Sequence, residues 1–87
     1  MKAAVFYETG DATMEEIRAV YPRHKAYLNT FVERGVVLGI GPFDGEKQGS
    51  MGIFTTREEA ENFIKQDPFV IEGLAGKVII RDWKDIM

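Results

Sequence analysis

Apolar and polar positions switch period several times along the chain, and the switches outline its elements. Lys2–Tyr7 is a short β-type run, apolar on both faces, and reads as a buried strand rather than one facing water. Glu8-Thr9-Gly10-Asp11 breaks it. Thr13 and Glu16 have capping-box spacing, hydroxyl and carboxylate each bonding the other's exposed backbone amide, so a helix begins there. Pro22 lacks an amide proton and disfavours helical geometry at Tyr21. It predicts a short helical segment, then a main helix with Pro22 in its first turn. That helix runs to Arg34 and ends at Gly35, whose missing side chain permits a left-handed cap. His24, Tyr27, Leu28 and Phe31 recur at steps of three or four and share its core face, while Arg23, Lys25, Asn29, Glu33 and Arg34 mostly take the opposite side. A titratable imidazole is thereby directed toward the core.

Val36–Gly41 is a second strand, closed by Pro42, which cannot donate to a ladder. The polar link Phe43–Gly49 is short enough to make Ser50–Thr55 the return strand of an antiparallel hairpin. Thr56 and Glu59 repeat the capping-box spacing and start a second helix, Arg57–Gln66, with Ala60, Phe63 and Ile64 on its buried face. Asp67-Pro68 caps one further turn, Phe69–Glu72, stopped by Gly73, and Lys77–Trp83 is the last strand. The order βαββαβ predicts an α+β class and a ferredoxin-like arrangement, a four-stranded antiparallel sheet with both helices on one face. Strands this apolar leave a second face that water does not favour. A second subunit is the expected cover, giving a homodimer or higher homo-oligomer.

Composition narrows the partners. Eighty-seven residues, 45% hydrophobic, suit one domain spanning 1–87, which buries only about 60% of its unfolded surface. There is no cysteine, which fits a reducing cytosol, and no apolar run has the length of a signal core or a membrane span. The expectation is a cytoplasmic protein that does not engage a membrane. Eleven basic against fourteen acidic residues, with no basic block, remove the footprint of a nucleic-acid binder.

The candidate chemistry centres on Asp67. It continues the apolar face of the second helix at its C-terminal end, where partial negative charge disfavours a carboxylate unless a donor, a cation or a new helix receives it. In this topology His24 lies on the neighbouring helix. An imidazole beside a carboxylate is general acid/base equipment, typically worth about 10²- to 10⁴-fold in rate. The competing reading is structural, with Asp67 serving only as the N-cap of the Pro68 turn and His24 as a satisfied core residue. Gly41 and Pro42 either let backbone approach a small ligand or simply make a tight strand exit, which the residues favour. The glycines between Gly39 and Gly45 do not form a nucleotide loop, because no helix follows to supply a phosphate-binding terminus. Ser50 has no nucleophile-elbow sequence around it and reads as a hydrogen-bonding pocket residue. Tyr7, Tyr27, Phe43, Phe69 and Trp83 are candidates for an aromatic pocket, with core packing the simpler account of most. One histidine and scattered carboxylates supply no metal-ligand set, and no cofactor is called for.

Taken together, several stretches resemble the YCII-related (YciI-like) family over nearly the whole chain. They are Pro22-Arg23-His24 with Tyr27-Leu28, Gly35, Gly41-Pro42-Phe43, Gly49, Glu59-Ala60, Asp67-Pro68-Phe69-Val70 with Gly73-Leu74, and the closing strand from Val78 to Trp83. The helix histidine and the Asp-Pro-Phe step are the most specific of these. The resemblance implies a dimeric α+β barrel, related in architecture to muconolactone isomerases, with His24 and Asp67 matching the family's active-site pair. One branch of that family is associated with dehydrochlorination of chlorinated hydroxyhydroquinones. The expectation is a small cofactor-independent enzyme that eliminates or isomerises a small organic substrate, cyclic or aromatic. His24 would move the proton and Asp67 orient it, with Tyr7, Gly41, Pro42, Ser50 and Phe69 contacting substrate. The alternatives are a non-catalytic metabolite-binding or sensing module using the same pocket, and a pair that only stabilises the fold.

Overall fold

A computed structural model of residues 1–87 has the order β1 (Lys2–Thr9), α1 (Met14–Glu33), β2 (Val37–Pro42), β3 (Ser50–Phe54), α2 (Arg57–Gln66), a one-turn α3 (Pro68–Ile71) and β4 (Ala75–Trp83). The strands make one antiparallel sheet in the order β2-β3-β1-β4. Alternation along central β1 assigns its two faces. Ala3, Val5 and Tyr7 lie opposite Phe54, Gly52 and Ser50 of β3 and face the helices, whereas Ala4 and Phe6 lie opposite Ile53 and Met51 and face away. The core is built from Ala3, Val5 and Phe54 of the sheet with Leu28, Phe31, Ala60 and Phe63 of α1 and α2. Both helices therefore cover one face of the sheet, which is the α+β, ferredoxin-like arrangement that the element order predicts.

Four local differences from the sequence reading have identifiable causes. The first helix does not break at Pro22, and α1 runs unbroken from the Thr13 capping box with the proline in its interior. An interior proline costs roughly 3 kcal/mol. Val20, His24, Leu28 and Phe31 form one buried stripe through that point, and each large apolar side chain buried contributes about 1.5–3 kcal/mol. A break would divide the stripe, so packing prevails. The second capping box is only half formed. The Thr56 hydroxyl accepts from the Glu59 amide, but the Glu59 carboxylate is taken by the Arg34 guanidinium instead of turning back to the cap. Strand β2 continues through Pro42, which pairs opposite Ser50. As an edge strand, β2 tolerates a missing amide proton. The last strand begins at Ala75, two residues earlier than expected, opposite Thr9 across a register shift in β1.

The β2–β3 link returns through Gly49, whose φ of +82° is a left-handed conformation. A side chain there would also meet the Tyr7 carbonyl oxygen at 2.5 Å. Gly49 thus presses the hairpin against β1 at Tyr7. No helix of the structure is long and apolar enough to cross a membrane.

Candidate active site

Asp67 sits at the junction of two helices because Pro68 forbids the first to continue. Its backbone is extended, at φ −61° and ψ 122°, as expected of a residue before proline. This ends α2 and makes Asp67 the N-cap of α3, where Oδ1 accepts the Phe69 amide at 3.1 Å. The same oxygen lies 2.7 Å from His24 Nδ1 of α1. The other, Oδ2, accepts the Tyr7 hydroxyl of β1 at 2.6 Å. Asp67 is 0% exposed. Burying a lone carboxylate costs several kcal/mol, and hydrogen bonds to a charged group contribute roughly 1.5–3 kcal/mol each. Three convergent donors therefore offset the desolvation without an arginine or a lysine.

These bonds fix the imidazole. A carboxylate only accepts, so opposite it Nδ1 of His24 is the donor, which in a neutral imidazole leaves the lone pair on Nε2. Phe69 stacks on the ring at 4.3 Å between centroids and 20° between planes, while Phe63 meets it edge-on at 6.1 Å and 84°. Nε2 makes no hydrogen bond within the protein, and no buried side-chain nitrogen or oxygen lacks a partner, so Nε2 is accessible to solvent. Burial, reinforced by the hydrogen bond to Asp67, holds the Tyr7 phenol pKa far above its ordinary value, so this hydroxyl stays a donor. Burial also pushes Tyr27 up to about 12, with the charge of Asp67 adding to the effect.

His24 lines a cavity of about 870 Å³ between α1, the end of β1 and the β2–β3 hairpin. Tyr7, Gly41, Pro42, Ser50 and Phe69 line it as well. Asp67 does not, being sealed behind His24, Tyr7 and Phe69. Tyr7 and Phe69 thus have two placements at once, on the cavity wall and around the dyad. Beside Gly41 there is open space where a side chain would project. Of the aromatic candidates, Phe43 reaches the cavity. Tyr27 instead packs on Phe31 and Phe63 and donates its hydroxyl to the Phe63 carbonyl, and Trp83 is exposed beneath the Lys2 ammonium. The cavity also takes in Arg18, Tyr21 and Lys25. Lys25 is exposed, as its place on the solvent side of the helix predicts, and the sequence marks none of the three as a site residue, because exposed helix positions carry no sign of the groove beside them. No group of three or more His, Cys, Asp or Glu side chains is gathered to hold a metal ion.

The model of the YCII-related domain matches residues 1–84. The chain belongs to the YCII-related family. No curated protein matches it. Among solved structures, this YCII-related chain is similar to the 5-chloro-2-hydroxyhydroquinone dehydrochlorinase TftG from Burkholderia phenoliruptrix AC1100, in complex with 2,5-dihydroxybenzoquinone. The TM-score is 0.80 and the sequence identity 23%, over 97% of this chain and 94% of that one. A likeness of that degree shows the shared fold. Within this YCII-related fold, His24 lines the cavity with its Nδ1 held by a buried carboxylate.

Proposed function

We propose that this protein is a small enzyme that moves a proton on a small organic substrate, cyclic or aromatic, with His24 as the acid/base and Asp67 as the residue that orients it. The observation that carries the reading is the 2.7 Å contact between His24 Nδ1 and a fully buried Asp67, which leaves Nε2 free at the cavity. Elimination or isomerisation needs no more than this. In an elimination, Nε2 takes a proton from a C–H or O–H of the substrate. The electron pair released forms a new double bond, and the leaving group departs with its own bonding pair. Asp67 stabilises the imidazolium, which gives the proton to the leaving anion or to water. No cofactor enters such a step. The dehydrochlorinase named for TftG is a reaction of this type and supports the reading. Gly41, Pro42 and Ser50 would contact the substrate from the hairpin side, and Tyr7 and Phe69 from beneath.

We further propose that the molecule works as a homodimer, closed over the sheet face that carries Phe6, Met51, Ile53 and Ile79. The test of the catalytic reading is a screen of halogenated and hydroxylated cyclic compounds against the wild-type chain, following halide release or isomer formation. His24→Gln should abolish turnover of any substrate found. Unchanged turnover in that variant would remove His24 from the chemistry. A ligand that binds in a His24-dependent way but is never altered would instead assign the cavity to binding or sensing.

A further inference from the structure

Asp67 receives two side chains, and both approach it at the short distances of charge-assisted bonds. His24 Nδ1 lies 2.7 Å from Oδ1 and the Tyr7 hydroxyl 2.6 Å from Oδ2. The Phe69 amide, at 3.1 Å from Oδ1, has the length of an ordinary N–H···O bond. No lysine or arginine pairs with Asp67. The phenol is therefore the one side chain besides the imidazole that draws on the carboxylate, which is closed to solvent. It also comes from a firmly held position. Tyr7 lies on the central strand, opposite Ser50 of β3 and Val78 of β4, where the hairpin closes on its carbonyl through Gly49.

We infer that Tyr7 is a positioning residue of the proton-moving pair: its hydroxyl takes up part of the Asp67 charge and so keeps the Asp67–His24 bond loose enough for Nε2 to return the proton it accepts. This inference rests on the acid/base reading of His24 and adds a third residue to it. Two donors on one carboxylate compete for the same charge, because density drawn toward one oxygen is withdrawn from the other. A group that moves protons must release what it takes, and it works best when it is neither too strong nor too weak a base. A buried carboxylate bonded to His24 and one amide alone would spend its charge on the imidazolium and hold the proton there. The phenol divides that charge. Because its hydrogen is committed to Oδ2, Tyr7 acts through Asp67 and not on the reacting atoms. Tyr27 provides the contrast, donating its hydroxyl to the backbone carbonyls of Asn62 and Phe63 and making no bond to the carboxylate.

The test reads the bond itself. His24 is the only histidine, so the imidazole Nδ1–H resonance of the ¹⁵N-labelled full chain needs no further assignment. A stronger bond to the carboxylate moves that proton downfield and a weaker one moves it upfield. Tyr7→Phe should move it downfield, because Asp67 then has one donor fewer. Replacing Tyr7 by 3-fluorotyrosine, a slightly stronger donor, should move it upfield, and this near-isosteric change decides the matter even where Tyr7→Phe fails to fold. Tyr27→Phe, which removes a phenol hydroxyl of the same fold without touching Asp67, should leave it in place. On an identified substrate, Tyr7→Phe should lower kcat about tenfold with KM little changed, since proton transfer and not binding is affected. A resonance unmoved by either change at Tyr7, one moved as far by Tyr27→Phe, or an unchanged kcat in a Tyr7→Phe chain whose resonance has moved would each overturn the inference. Because the resonance is read without turnover, an unmoved proton in a chain whose chemistry requires His24 discards the role of Tyr7 alone. A proton that moves as expected in a chain whose turnover survives His24→Gln discards the acid/base reading, and the inference with it.

Discussion

The Tyr7 hydroxyl donates to Oδ2 of Asp67 at 2.6 Å, joining the central strand to the junction of α2 and α3 across sixty residues of chain. His24 and the Phe69 amide occupy the other oxygen. The carboxylate is therefore gripped from three elements, and removing any one donor leaves a fully buried acceptor underbonded. Tyr7→Phe deletes only the hydroxyl. It should destabilise the fold by about 1–3 kcal/mol, which for a domain of this size lowers the thermal midpoint by roughly 5 to 20 °C. Thermal unfolding followed by circular dichroism checks it, and an unchanged midpoint would mean that the hydroxyl is replaceable by solvent.

Asp67→Asn separates the capping role from the electrostatic one. Asparagine also caps a helix well, so the α3 turn should survive. To keep that cap its carbonyl oxygen must stay where Oδ1 receives both the Phe69 amide and His24 Nδ1, so its amide N–H turns to the Tyr7 hydroxyl and the imidazole keeps its tautomer but loses the charge that stabilises its protonated form. Under the proposed function, kcat on an identified substrate should fall about 10²- to 10⁴-fold, with KM little changed. A fall in stability with kcat preserved would assign Asp67 to structure alone.

Much of this constellation could be read from the residues, and its gaps have physical causes. Pro68 marks Asp67 as a cap, and helical periodicity places His24 inward; both are local signals. The Tyr7 bond depends on strand register, which local sequence does not encode, although the alternation Ala3, Val5, Tyr7 already puts the phenol on the helix side. The break at Pro22 was expected because proline chemistry is local, whereas the stripe that overrides it is satisfied only by the assembled sheet. Glu59 likewise had a local partner in Thr56 and found a distant one in Arg34, twenty-five residues earlier. Arg18, Tyr21 and Lys25 became cavity residues only through the hairpin that rises opposite them.

Alkaline pH should distinguish the two half-buried phenols, Tyr7 and Tyr27. A tyrosine whose pKa is raised in the folded state stays protonated where the unfolded chain, at about 10, has begun to lose its proton. Folding stability is then fully present below pH 10 and is lost as pH climbs toward the folded values, about 12 for Tyr27 and higher for Tyr7. Tyrosinate absorbance near 295 nm should show these two groups ionising together with the loss of ellipticity. Ionisation of Tyr7 and Tyr27 near pH 10 in a chain that remains folded would contradict the raised values that burial gives them.

Gly49→Ala tests how the hairpin holds Tyr7. The alanine would combine a left-handed backbone, costing about 1 kcal/mol, with a methyl carbon 2.5 Å from the Tyr7 carbonyl oxygen. Gly73, also left-handed at φ +74° but open around its missing side chain, provides the control. Gly73→Ala should carry the backbone cost alone, so a larger drop in midpoint for Gly49→Ala measures the close approach. Equal drops would show that the hairpin can move away from β1 freely.

The outward face of the sheet supports the dimer and exposes it to a direct test. Phe6 lies at the centre of that face, paired with Met51 on one side and Ile79 on the other, and Ala4 pairs with Ile53 beside it. Gly39 and Gly41 of β2 lie opposite Ile53 and Met51, and a side chain at either would meet only open space within the protomer. Neither glycine is required by its own chain's packing, but each leaves backbone flat and open to another surface. A second copy meeting this face with its own would bury both apolar sheets, as in a sandwich about 10 Å thick. Phe6→Lys places a charge at the centre of each half, where the two-fold would set like charges against each other without water. The wild-type chain should sediment as a dimer at micromolar concentration and the Phe6→Lys chain as a folded monomer. Wild-type protein that sediments as a monomer would rule the dimer out.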